Sequence, residues 1–166
     1  MGGKRLAMLA AGAAVITTAA VVPAAYAGGS GHTEYFRLVT NSTSSNAKPS
    51  VIATGFFTAG GTDEQVNNDT DVFHFGNGSL VVHHPHAHQT QSFNPKTCLF
   101  RLTLSGKYTL NKGTGAYKGI TGSGRYRGLF LGIAKRTAKG TCNTSESAPL
   151  RVSEEVITAH GTVSRS

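Results

Sequence analysis

The segment His83-His84-Pro85-His86-Ala87-His88 has the most evident chemical capacity in this chain, because neutral imidazole is a ligand for zinc, copper and nickel. In an extended backbone alternate side chains share a face. His84, His86 and His88 would then point one way and offer up to three ring nitrogens to one ion, at Zn–N distances of about 2.0–2.1 Å. His83 would point the other way. Pro85 has no N–H for a strand ladder, which puts the segment at a strand edge or in a loop. Two readings follow: a Zn or Cu site made by His84, His86 and His88, or an exposed cluster that binds metal weakly and without geometry.

Other constellations fall short of a reaction. Glu154 and Glu155 are neighbours, so in a strand they face opposite sides and cannot act as a paired acid and base. No Gly-x-Ser-x-Gly elbow is present to expose a serine nucleophile. Neither Cys98 nor Cys142 sits in a Cys-x-x-Cys or catalytic-cysteine context. Asn41-Ser42-Thr43 and Asn143-Thr144-Ser145 match the glycosylation acceptor pattern, which acts only in a cell with that machinery. No catalytic residue and no cofactor is assigned.

The glycine-rich run Gly113-Thr114-Gly115-Ala116-Tyr117-Lys118-Gly119-Ile120-Thr121-Gly122-Ser123-Gly124 looks at first like a phosphate loop. A dinucleotide fingerprint starting at Gly113 needs glycine where Lys118 stands, and no Gly-Lys-Ser/Thr follows. The structural reading is that Gly113, Gly115, Tyr117, Gly119, Gly122 and Gly124 let strands bend and approach closely. Together with Tyr108-Thr109-Leu110 before it, this run resembles the G-x-G-x-Y-x-G-x-x-G-x-G signature of allene oxide cyclase and dirigent-like barrels, in the manner of small exported bacterial members. The resemblance is sharp from Gly106 to Tyr126 and diffuse elsewhere. It implies an eight-stranded antiparallel β-barrel, an apolar ligand in the barrel cavity and self-assembly, since several members form trimers. Plant members cyclise an unsaturated epoxide or steer radical coupling. None of their functional residues matches a position here.

The rest of the chain supplies elements for such a barrel. Short apolar runs alternate with Gly, Asn, Ser and Thr, and helical periodicity is nearly absent after the N-terminus, so the fold class is all-β. Phe100, Leu102 and Leu104 share a parity with Cys98, against Leu99, Arg101, Thr103 and Ser105. Asp71 to Phe75 and Ser79 to His84 flank Gly76-Asn77-Gly78, a hairpin turn sequence. Gly124 to Ile133 sets Arg125, Arg127, Leu129, Leu131 and Ile133 against Tyr126 and Phe130. Val152 to Val163 reads as the closing strand, and Asn41 to Ser50 as a loop.

Lys4 and Arg5, the apolar run Leu6 to Val22 and Ala25-Tyr26-Ala27 have the three parts of an export signal. Gly12, Thr17 and Thr18 make the run too mildly apolar for a spanning helix. The expected organisation is a helical signal peptide over 1–27, a flexible segment 28–32 and one β-barrel domain over 33–166. The product is secreted, with no transmembrane anchor after cleavage, which excludes chemistry that leans on cytoplasmic ATP, NAD or thiols. In that compartment Cys98 and Cys142 are expected to pair as a disulfide.

The net charge of +8 at pH 7 is unevenly placed. Asp63, Glu64, Asp69 and Asp71 form an acidic stretch, while Lys96 to Lys139 holds ten Lys or Arg and no Asp or Glu. Such asymmetry attracts anions; outside a cell these are wall polymers, acidic glycans, lipid headgroups or nucleic acid, so an anionic cell-surface polymer is one candidate partner, and a solvated basic surface that aids solubility is the alternative. No specific nucleic-acid motif is present. The sequence therefore points first to a secreted, noncatalytic barrel that binds a small apolar ligand or a surface partner. The alternatives are an isomerase or cyclase of the allene oxide cyclase type, and metal binding through the histidines.

Overall fold

The computed structural model describes residues 31–42, 48–85, 87–145 and 150–166. The expected export signal, and His86 of the histidine segment, lie outside the described residues. Nine strands follow in order: β1 (His32–Ser42), β2 (Ser50–Gly55), β3 (Ala59–Asn67), β4 (Thr70–Phe75), β5 (Gly78–His83), β6 (His88–Asn94), β7 (Leu99–Asn111), β8 (Ile120–Ala134) and β9 (Leu150–Arg165). One turn of 3-10 helix, Gly115–Tyr117, links β7 to β8. β1 opens at His32, which pairs with Val163, so the last residue of the expected flexible segment 28–32 already belongs to the sheet.

All strand pairs are antiparallel, and eight strands close into a barrel. The order runs β1–β2–β3–β4–β5, then β5 pairs with β7, and β7–β8–β9 returns to β1. The ninth strand, β6, lies on the same edge of β7 as β5. β5 pairs with Thr109–Asn111 and β6 with Leu99–Ser105. One wall position is thus filled by two strand pieces broken around Pro85, whose ring nitrogen has no hydrogen to give the ladder.

Inward parity is set by the large apolar residues. Phe36 and Leu38, Val51 and Ala53, Phe73 and Phe75, Leu80 and Val82, Tyr108 and Leu110, Ile120 and Val163 are all buried in one cluster. At one end this core is solid. Tyr117 packs against Phe75 and Phe57 at ring distances of 5.0 and 5.1 Å, over fully buried Leu80 and Ile120. The glycine run forms that end: Gly115 and Gly119 take left-handed φ of 55° and 79° around buried Tyr117, a conformation open to glycine at little cost.

β7, β8 and β9, at 13, 15 and 16 residues, outrun the barrel. Their far halves, joined by β6, continue as an open apron. Its inner face carries Phe93, Phe100 and Phe130, the last two edge-on at 6.1 Å, and these partly exposed rings line a groove of about 650 Å³ with Leu150. The Cys98–Cys142 disulfide ties the turn before β7 to the loop after β8. The Arg136 guanidinium donates to the carbonyls of Gly140 and Lys96, both at 2.7 Å, and clasps the same two loops.

A disulfide removes entropy from the unfolded chain, by about 4 kcal/mol for a loop of this size on the simplest account. Here Leu99 already pairs with Ile133 beside the bridge, and Arg136 holds the loops. The double variant Cys98→Ser/Cys142→Ser is therefore expected to lose only about 2 kcal/mol. Thermal unfolding would show a fall of roughly 6 °C, with the far-ultraviolet β signature retained.

Candidate functional site

The hairpin β4–β5 delivers the chemistry. Its register sets Asp71 opposite Val82 and Thr70 opposite His83. The His84 amide then donates to the Asp69 carbonyl at 2.8 Å, one step beyond the last strand pair. This holds His84 in the inward parity of Leu80 and Val82, diagonal to Asp71, where side chains of adjacent strands can still reach each other. Nε2 of His84 lies 2.9 Å from Oδ2 of Asp71, with both side chains more than four-fifths buried. The His84 ring stands edge-on to Tyr126 at 6.0 Å.

Beneath this pair lies a cavity of about 70 Å³. Phe36, Phe73, Val82 and Ile157 make its apolar wall, while Asp71, His84, Tyr108 and Tyr126 supply the polar atoms. Two more carboxyls gather at this end: Asp63, opposite Phe73 on β3, and Glu155, which faces inward while its neighbour Glu154 is exposed.

Burial dominates the electrostatics. Loss of water pushes the Asp63 carboxyl up to about 7, with the Asp71 charge adding to the rise and His84 opposing it. Burial, then Asp71, likewise raises Glu155. Contact with Asp71 holds the His84 imidazole above its ordinary value, against the opposing cost of burial. Burial and the Glu34 charge push the Tyr108 phenol up to about 12, which keeps its hydrogen in place. Several of these groups lack a partner in the protein. Oδ1 of Asp63, Oδ1 of Asp71, and the hydroxyls of Tyr108 and Thr40 are buried with no hydrogen bond from any described residue. A buried polar atom left so costs roughly 1–3 kcal/mol, and native folds leave few of them unsatisfied.

Chemically the arrangement can do two things. It can hold a small molecule whose apolar part fills the cavity and whose hydrogen-bond donor meets Asp71. It can also move a proton, because an imidazole oriented by a carboxylate beside a carboxyl poised near neutrality is an acid–base set.

Of the three histidines expected as metal ligands, His84 and His88 are described, and they stand in different surroundings. His84 is engaged with Asp71 inside the barrel. His88 is exposed at the start of β6, opposite Ser105, and His86 lies outside the described residues. Among the described residues no three His, Cys, Asp or Glu side chains gather within reach of one ion. The glycine-motif residues do not enter the site. Gly113 to Gly119 form the opposite, solid end, and Gly122 and Gly124 lie on the inner side of β8 against β9.

Sequence reasoning did not assign Asp71, Asp63 or Glu155 to this site. One signal was available for Asp71, which shares the parity of Phe73 and Phe75 and so faces the core. Comparison with protein-family models, with curated proteins and with solved structures finds no match to this chain.

Proposed function

We propose that the protein is an exported, noncatalytic barrel that binds a small, mainly apolar molecule bearing one hydrogen-bond donor, a hydroxyl or an amine. The observation that carries this reading is the buried Oδ1 of Asp71, which no described residue partners, in the wall of a mainly apolar cavity. The disulfide supports export, since such bridges persist in oxidising compartments. The resemblance of the glycine run to allene oxide cyclase and dirigent-like barrels supports the same use of the barrel interior, by analogy alone.

Size narrows the ligand. An apolar cavity of about 150 Å³ accepts benzene, and this one is about 70 Å³. It takes a short alkyl or alkenyl group, and any longer tail lies outward along the inner face of the apron, beside Phe100 and Phe130.

A thermal-shift panel of short-chain amines and alcohols tests the proposal. A true ligand at a hundred times its Kd adds about 2.7 kcal/mol, a rise of roughly 8 °C. Ala159 lines the cavity, so Ala159→Leu is expected to fill it and abolish the shift while the barrel stays folded. Asp71→Asn should weaken the ligand by about tenfold, the worth of one charge-assisted hydrogen bond. Binding that survives Ala159→Leu would move the site elsewhere.

A second reading has one observation behind it: His84 and Asp71 form an oriented imidazole–carboxylate pair at the cavity rim. In that case the barrel isomerises or cyclises an unsaturated ligand by proton transfer. Stereochemically controlled turnover of an unsaturated fatty acid epoxide, lost in Asp71→Asn and absent from the uncatalysed background, is the result that reading requires.

A further inference from the structure

The parity that points Phe36, Tyr108, Tyr126 and Ala159 into the barrel points a different set out. On the outer surface Lys107 lies opposite Arg125, Arg125 opposite His160, and His160 opposite Tyr35. The next row sets Arg127 opposite Thr158, and Thr158 opposite Arg37. Where the strands leave the barrel for the apron this surface is concave, and it forms a groove of about 680 Å³ over β7, β8 and β9.

Among the described residues the charges in this groove have no ion-pair partner. Among the described residues the ion pairs are Lys48–Glu64, His74–Glu64 and His84–Asp71, none of which involves the groove. On this outer face Glu154 is the acid nearest in register among the described residues. It is separated from the Arg127 row by the row of Val39, Val156 and Leu129. Like charges directly across a strand pair destabilise a sheet, so the Lys107–Arg125 pairing is a cost that no acidic side chain among the described residues offsets. A bound anion would offset it.

We propose that this outer groove binds an acidic polysaccharide, with Lys107, Arg125 and Arg127 in the groove, and Arg37 beyond Thr158 on β1, pairing to its carboxylates or sulfates. Neighbouring cations stand about 5 Å apart across strands and about 6.8 Å apart along them, so they meet charges repeated along one chain. Arginine forks bind such oxyanions through two parallel hydrogen bonds. Tyr35, 54% exposed and 6.4 Å from the His160 ring, offers one flat face on which a sugar ring can rest. Single-stranded nucleic acid is the less suited occupant, because its recognition uses successive aromatic platforms for successive bases, and here the exposed rings are the single tilted pair of His160 in the groove and Tyr35 beside it. The site lies on the opposite side of the wall from the cavity and does not depend on what fills that cavity.

The test measures binding of a polygalacturonate and of a sulfated glycan, beside an oligothymidylate of equal charge, over a salt series. Wild type is compared with Lys107→Gln/Arg125→Gln/Arg127→Gln and with the charge-matched Lys96→Gln/Lys135→Gln/Lys139→Gln. The groove variant is expected to lose about thirtyfold in glycan affinity and to show a shallower salt dependence, whereas the matched variant loses less than about threefold. The single variant Arg127→Gln, expected to lose about fourfold, gives the same answer should the triple variant express poorly. Equal losses in the two triple variants would reduce the effect to diffuse charge and overturn the proposal. Tighter binding of the oligothymidylate would overturn it in favour of nucleic acid, and no binding of either glycan would end it.

Discussion

Replacing Gly124 with valine is expected to leave no soluble folded protein, and replacing it with alanine is expected to cost about 3 kcal/mol, the upper part of the overpacking range. Gly124 lies on the inner side of β8, directly opposite Gly161 of β9 and Tyr108 of β7. A Cβ there would overlap the His160 carbonyl oxygen and stand 2.6 Å from Cε1 of Tyr108 and 2.7 Å from Cα of Gly161. Two of these three obstacles are backbone atoms held in ladders on both sides, so neither strand can retreat without breaking its pairing. The third is the 3% exposed Tyr108 ring, wedged edge-on against Phe36 at 6.1 Å. Gly60 is the control. Nothing lies within 4 Å of a Cβ built there, and Gly60→Ala should change stability by less than about 0.5 kcal/mol. Thermal unfolding should put Gly124→Ala roughly 9 °C below wild type and Gly60→Ala level with it. Equal behaviour of the two would mean that the close approach of β8 and β9 does not set the shape of the barrel.

That pair also shows where the sequence was legible. The all-β class could be read from alternation, because Tyr126 and Phe130 oppose Arg125 and Arg127 along β8 and because Gly76-Asn77 gives the β4–β5 hairpin a turn that glycine and asparagine favour, whereas closure into an eight-stranded barrel was expected only from the resemblance of the glycine run. The disulfide could be read from two cysteines and the expectation of export. The candidate site was not legible, for reasons that lie in particular residues. His84, His86 and His88 look like a set when the strand is imagined to run on. The ladder instead ends at His84 with the bond to Asp69, and Pro85 breaks the wall. Asp63 sits in Ala59–Asn67, where glycines and polar residues replace the apolar alternation that would reveal which side is inside. The apron was equally hidden. The alternation of β7 runs unbroken from Phe100 to Leu110, and nothing in it marks where the enclosing strands stop. The outer groove lay half in view, since the run of cations from Lys96 to Lys139 was plain. Its concavity depends on where β7, β8 and β9 leave the barrel, which no single strand records.

The barrel should be most stable in mildly acidic medium, with about 4 kcal/mol lost between pH 5 and pH 8. Glu34 is fully buried and accepts a hydrogen bond from the Phe57 amide at 3.0 Å, yet burial still pushes its carboxyl from 4.5 up to about 7. Asp63, 6% exposed, rises from 3.8 to about 7, first through burial and then through the charge of Asp71. A carboxyl whose value is higher in the folded state binds its proton more tightly there. Its contribution is therefore complete below about pH 4, where both states are protonated, and is lost as pH climbs through 7 and the buried group must ionise. Each pH unit of difference is worth about 1.4 kcal/mol, so either group alone carries up to roughly 3–4 kcal/mol. Water at the mouth and the His84 charge beside Asp63 lower the combined figure to about 4. His84 acts in the same direction, because its charged form is favoured by Asp71 and that benefit disappears as the imidazole deprotonates. Glu64 alone runs the other way, held low by exposed Lys48, where solvent screening leaves little energy. Unfolding temperature should then fall by roughly 12 °C from pH 5 to pH 8, and Glu34→Gln/Asp63→Asn should flatten that slope while raising stability at pH 8. A curve that rises with pH, or one the double variant leaves unchanged, would place ionised carboxylates with adequate partners inside the barrel. It would also remove the unsatisfied acceptor on which the ligand site depends.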